Sequence, residues 1–234
     1  MHGWVPWSAD KLLQRENVCM PAVPPDDSVP SDDEVRGRVR AIEARAMEGE
    51  LQLLGGSGDD PVELLPPDPL WPERFEATRE RLADALGPTA LRIDHVGSTA
   101  IRGISAKPVI DVQVSVPDID DEQAYRPAIE SLGWPLRARE PGLGHRFFRD
   151  PAGAPRRVHV HVCQAGGEWE RSHLLFRDYL RRQPDRAQAY DRLKQAAAER
   201  YRGERLAYTE SKGPFIEETL VLAEEWARKV GWRP

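Results

Sequence analysis

Leu91-Arg92-Ile93-Asp94-His95-Val96-Gly97-Ser98-Thr99-Ala100 runs from an apolar-rich segment into a Gly-Ser turn. Val109-Ile110-Asp111-Val112-Gln113-Val114-Ser115-Val116 follows, with twelve residues between Ser98 and Asp111. Alternation in the second run places Val112, Val114 and Val116 on one strand face and Asp111 and Gln113 on the other. The first run predicts a strand over 91–96 and a short helix around Ala100, with Gly97 at the turn. Glycine there lets a phosphate approach the backbone, and a helix start offers free N–H groups to it. A Gly-Ser pair alone marks many ordinary turns; between two strands it points to an anion-binding loop holding phosphate at Gly97, Ser98 and Thr99. Asp111, on a strand otherwise built for a core, needs a partner. The functional partner is Mg2+ or Mn2+, the bland one a hydrogen-bond donor. Two residues on, a second carboxylate would let two metal ions clamp the attacking and leaving oxygens of phosphoryl transfer. Gln113 stands there instead and brings no charge.

His159-Val160-His161 sets two imidazoles on one strand face, where they suit a metal, a base or a phosphate. The ordinary alternative is a half-buried face of hydrogen-bonded histidines. Asp111, His159 and His161 are therefore the expected catalytic and metal-binding residues, with His95 expected to face the same site. Lys107, Arg146, Arg157, Lys194 and Lys212 are the expected phosphate contacts, although for any one of them a solvated surface role is the plainer reading. Lys212 precedes Gly213-Pro214 at a predicted helix start, where the helix dipole disfavours a cation without an anion. Arg177 and Tyr179 cannot share a helix face, so one of them points toward the sheet.

Around these motifs the chain divides. Residues 1–30 lack periodicity and read as an irregular arm. Ser31-Asp32-Asp33-Glu34 is a capping box, predicting a helix to about Glu48. Gly55-Gly56-Ser57-Gly58-Asp59-Asp60 reads as a linker and sets the expected boundary between an N-terminal extension, 1–60, and a domain, 61–234. Short strands are expected over 62–65 and 109–116, and a strand pair over 144–149 and 158–163. Helices are expected over 71–86, 120–132, 168–182, 185–201 and 213–229. Mixed strands and helices followed by a helical tail give an α+β sheet domain with flanking helices and a C-terminal helical lobe.

The bulk numbers agree with an ordinary globular chain: 234 residues, 40% hydrophobic and 31% charged. No apolar run reaches eighteen residues, so no membrane partner is expected, and the first residues do not read as a signal peptide. Cys19 and Cys163 are the only cysteines and offer neither a disulfide framework nor zinc-ligand spacing, which fits a cytoplasmic location. Residues 1–60 carry twelve acids against six bases, the whole net charge of −6; the remainder is neutral. Residues 137–182 hold ten arginines against five acids, an excess suited to phosphate or carboxylate and too local for duplex nucleic acid.

Six ordered blocks, His95-Val96-Gly97-Ser98-Thr99-Ala100, Ala106-Lys107-Pro108-Val109-Ile110-Asp111, Val158-His159-Val160-His161-Val162, Phe176-Arg177-Asp178-Tyr179-Leu180-Arg181, Tyr190-Asp191-Arg192-Leu193-Lys194 and Tyr208-Thr209-Glu210-Ser211-Lys212, resemble the GrpB family over about residues 62–229. The resemblance implies the nucleotidyltransferase superfamily, with a nucleotidyltransferase-like mixed sheet and a nucleotide-linked activity. The family also occurs fused to dephospho-coenzyme A kinase. Arg102 departs from its usual Val-Pro-Gly turn. The resulting expectation is a Mg2+- or Mn2+-dependent transferase that uses ATP or another triphosphate to modify a small-molecule acceptor, or to activate it as an adenylate for amide ligation. The alternatives are a nucleotide-binding module without catalysis, and an interaction protein whose acidic arm meets a partner.

Overall fold

The computed structural model describes residues 27–54 and 61–234. The chain runs through α1 (Asp32–Met47), β1 (Gln52–Leu53), α2 (Trp71–Leu86), β2 (Arg92–Val96), β3 (Ile110–Val116) and α3 (Arg126–Ser131). It continues through β4 (Leu136–Glu140), β5 (His145–Arg149), β6 (Val158–Gln164), α4 (Glu168–Arg182), α5 (Pro184–Arg200), α6 (Arg205–Glu210) and α7 (Gly213–Val230). The strands form one mixed α+β sheet in the order β1-β4-β5-β6-β3-β2, in which only β3 and β6 are parallel.

Alternation in the two valine-rich strands fixes which side of the sheet is core. Val112, Val114 and Val116 of β3 lie level with Val160, Val162 and Gln164 of β6. With Phe75, Leu82 and Leu86 of α2 and Ile129 of α3, these five valines belong to the largest apolar cluster among the described residues. The opposite face carries Asp111, Gln113 and Ser115 beside His159, His161 and Cys163. That polar face is covered from two sides. Ile42 of α1 packs on Ala138 and Phe147 at the β4–β5 end. Trp169 at the start of α4 stacks on His145, ring centroids 4.4 Å apart. The helical lobe has its own core, in which Phe176, Leu180, Tyr190, Leu193, Phe215 and Leu220 join Ile101 and Ile104.

Several expected elements take a different form. Residues 62–65 contribute a single bridge, Leu65 to Ala106, rather than a strand. The helix expected over 120–132 is split into a 3-10 turn, Glu122–Ala124, and the short α3. Pro127 explains the split: without an N–H it cannot bond back to Gln123, so the helix restarts with proline in its first turn. β4 and α6 carried no clear sequence signal. β4 alternates buried Leu136, Ala138 and Glu140 with Arg137 and Arg139, and a buried glutamate hides the pattern. The arm over 1–26 and the linker over 55–60 lie outside the described residues. On either side of that linker the chain enters the same sheet, since β1 pairs with β4 at its edge. Among the described residues no helix is long and apolar enough to cross a membrane.

Candidate functional site

The turn after β2 puts its backbone against β3. Gly97 adopts φ 69° and ψ −171°, and a Cβ there would collide with Asp111 Oδ2. Glycine at 97 therefore satisfies a backbone shape that side chains rarely adopt and leaves the carboxylate room. Ser98, Thr99 and Ala100 form the 3-10 turn that follows. A side-chain hydrogen bond ties Ser98 to Tyr190 of α5.

Parallel pairing sets Asp111 level with His159, and His161 lies two residues further along β6 on the same face. His159 Nδ1 is 2.9 Å and His161 Nε2 is 3.5 Å from Asp111 Oδ1. One donor atom from each of the three lies within 4.8 Å of the others, spacing that suits a single cation. Burial opposes ionisation of Asp111, but the hydrogen bonds and charge of His159 and His161 outweigh it and hold the carboxyl far below its ordinary range. Burial lowers His159 to about 4, against the pull of Asp111, so a neutral imidazole faces an ionised carboxylate at neutral pH. Gln113 shares the strand face but is 0% exposed, does not line the pocket, and both its amide atoms lack a partner. It does not take the place of a second carboxylate; the neighbouring donors come from β6.

The pocket above this cluster is lined by Gly97, Ser98, Thr99, Lys107, Asp111, His159 and His161, and by Phe176, Arg177, Tyr190, Tyr208 and Lys212 from the helices. Lys107 and Lys212 both approach Tyr208, their ammonium groups 5.6 and 4.7 Å from its ring centre. Burial, with Arg205 and Lys212 nearby, brings Lys107 well below its ordinary range against the pull of Asp111. Burial likewise brings Lys212 down to about 8, opposed by Asp111 and Glu210. Two lysines whose charge is penalised in this way favour an anion between them. Arg177 also reaches the pocket, yet it is held by Asp94, Asp178 and the carbonyl of His95. Tyr179 turns away to Trp226.

Three expected phosphate contacts are placed elsewhere. Arg146 sits on the valine face, bonded to Glu122 and Asp120, because β5 pairs it with Val162. Arg157 is exposed in the loop before β6, outside the pocket lining. Lys194 is buried, donates to the carbonyl of Ser105 and pairs with Asp191 at 3.4 Å. His95 also faces the valine side, stacked on Phe75 with centroids 4.6 Å apart, and contacts Thr99. Tyr190 and Tyr208 were not singled out for the site; a helical aromatic reads as packing, and only lobe docking brings these two to the pocket.

The family model described as GrpB protein matches residues 61–221. UPF0157 protein PA4798 of Pseudomonas aeruginosa is 40% identical over 175 residues, covering 74% of this chain and 72% of its own length. UPF0157 protein SCO7215 of Streptomyces coelicolor is 37% identical over 166 residues, covering 71% of this chain and 86% of its own. A protein named Dephospho-CoA kinase in Mycolicibacterium paratuberculosis is 32% identical over 198 residues, a match that spans 74% of this chain and 49% of that protein. Among solved structures, the conserved protein GrpB from Enterococcus faecalis matches with a TM-score of 0.62 and 30% identity, over 70% of this chain and 99% of that one.

Proposed function

Because the chain belongs to the GrpB family, we propose that it binds a nucleoside triphosphate and a divalent cation in this pocket and transfers the nucleotidyl group to a small-molecule acceptor. The observation that carries the reading is the convergence of Asp111, His159 and His161 beneath the Gly97-Ser98 turn. Gly97 and Ser98 accommodate the phosphates, and Lys107, from the segment before β3, and Lys212, from the helical lobe, neutralise them. Asp111, His159 and His161 hold the cation, Mg2+ or Mn2+ in the family-based expectation; their three donors fit one ion, and Gln113 adds none. When bound, such an ion withdraws charge from the phosphates and makes the α-phosphorus easier to attack. The bond formed joins an acceptor oxygen to the α-phosphorus, and the bond broken releases pyrophosphate. With a carboxylate acceptor the product is an acyl nucleotide, the activated form from which an amide is made. The relatives named Dephospho-CoA kinase support a nucleotide-linked role.

The sealed, neutral Gln113 favours one second reading, a module that binds the nucleotide without turning it over. Purified protein mixed with each triphosphate, Mg2+ or Mn2+ and a panel of hydroxyl and carboxylate acceptors should bind one triphosphate and release pyrophosphate. Asp111→Asn should weaken binding about ten- to hundred-fold, equivalent to about 1.5–3 kcal/mol for a charged hydrogen-bonding group. Binding without pyrophosphate under any acceptor supports the module instead, and no binding of any triphosphate sinks both readings.

A further inference from the structure

Behind His161 lies a chain of polar groups that the transfer reaction does not use. Arg45 of α1 is 3.2 Å from Glu140 Oε2, and Glu140 Oε1 is 3.2 Å from His145 Nδ1. His145 Nε2 is in turn 3.1 Å from His161 Nδ1. Glu140 and His145 are 4% and 1% exposed, so these contacts do not exchange with water. Proton placement along the chain follows from donor and acceptor rules. The Glu140 carboxylate, beside a guanidinium, accepts, so His145 donates from Nδ1. A neutral imidazole has one N–H, which leaves His145 Nε2 a bare acceptor. With Nδ1 of His161 engaged by His145, its Nε2 is the nitrogen left to face Asp111. That nitrogen lies 3.5 Å from Asp111 Oδ1. His161 Nε2 and Asp111 Oδ1 thus face each other at a spacing that a single cation can bridge. Trp169 stacks on both His145 and His161, ring centroids 4.4 and 5.2 Å away, and fixes the ring planes that deliver this geometry.

We propose that Glu140 and His145 form the outer shell of the cation site, holding His161 as a ligand through Nε2, and that the site prefers an imidazole-accepting first-row ion of the zinc type over magnesium. The proposal rests on the reading that Asp111, His159 and His161 hold a cation, and it names two positioning residues and the class of ion. Two imidazoles and one carboxylate are a nitrogen-rich donor set, whereas magnesium prefers oxygen throughout. A histidine ligand oriented by a carboxylate through its other nitrogen is a recurrent outer-shell device, and here a second imidazole extends it.

The test uses the full chain stripped of metal and dialysed against Zn2+ alone or Mg2+ alone. Wild type should take up one equivalent of zinc at least about 100-fold more tightly than magnesium. His145→Phe keeps a flat ring against Trp169 and should lower zinc affinity about 10- to 100-fold in protein that is still folded, as urea unfolding of the metal-free form checks. Wild-type zinc affinity in His145→Phe overturns the outer shell. Magnesium bound as tightly as zinc overturns the ion class while leaving the proposed transfer standing. Failure of wild type to bind any divalent ion removes the ion site and both proposals with it. If His145→Phe does not fold, Glu140→Gln decides: it should lower zinc affinity about 10-fold, and wild-type zinc affinity in that variant overturns the proposal.

Discussion

Gly97 answers two demands with one residue: a φ of 69° with extended ψ, and a Cβ-free approach to Asp111 Oδ2. Gly97→Ala should therefore cost about 1–3 kcal/mol of folding free energy from backbone strain and displace the carboxylate from the histidines. Urea unfolding and zinc titration check the two parts separately; an alanine variant with unaltered ion affinity would refute the displacement. Gln113 invites the opposite manipulation. Glutamate there resembles a restored second carboxylate, but the side chain is fully buried and outside the pocket. Gln113→Glu should lose stability, by several kcal/mol if the charge stays unpaired, and bind no second ion. Two equivalents of bound metal in that variant would show that the position reaches the site after all. The placement of Gly97, Ser98, Asp111, His159 and His161 at one pocket was legible in the sequence because each depends on local rules, a turn glycine and the period of two along a strand. That Arg146, Arg157 and Lys194 fall outside the pocket lining was not legible, because the face and partner of a cation depend on pairings across the chain, with Glu122 and Ser105 as examples. Glu140 and His145 were overlooked for the same reason: their link to His161 exists only once β4, β5 and β6 lie side by side.

At the scale of elements, α1 shows how residues outside the family match join the site. The sequence marked its start through Ser31, whose hydroxyl accepts from the Glu34 N–H at 3.3 Å. What it docks on was not legible, since an amphipathic stripe names no partner. Val35 is buried against Ala197, Tyr201 and Tyr208, and Ile42 against Leu51, Ala138 and Phe147. Arg38 lies 3.6 Å from Glu210 and 2.6 Å from Glu217, and fills the space where Gly213 lacks a Cβ. The helix thus braces α6 and the start of α7, between which Lys212 is held. Residues 32–53 are thus packed against the sheet and the helical lobe, and their unfolding is expected to be coupled to that of residues 61–234. Ile42→Ala should lower the unfolding free energy by about 2–4 kcal/mol, the range for a buried aliphatic truncation, and do so within one transition. A separate low-temperature transition, with the main one unmoved, would show instead that α1 melts by itself.

Over the whole molecule, buried histidines set the response to acid. Burial lowers His95 and His159 to about 4 each, and lowers His145 and His173 as well. Unfolded, a histidine titrates near 6.5. Between pH 6.5 and 4 the unfolded chain therefore holds more protons than the folded one, so stability rises with pH across that window and is lost as pH falls through it. The depressed carboxylates act lower down. Asp111 is held far below its ordinary range by the two histidines, and Glu122 is held to about 2 chiefly by its hydrogen bond from Arg139. Their stabilisation is complete above their unfolded values and fades only below about pH 4, so the loss between pH 7 and 5 belongs to the histidines. For a shift to about 4, linkage gives about 2 kcal/mol from each of His95 and His159 over that interval. Urea unfolding of the metal-free protein at pH 7 and pH 5 measures it. His95 stacks on Phe75 in the apolar layer, away from the ion-binding face, so His95→Gln should remove about one proton from the slope and leave zinc affinity unchanged. Equal stability at the two pH values would mean that these rings are protonated or solvated in the fold, and with it the neutral, packed histidine layer on which the site stands would be lost.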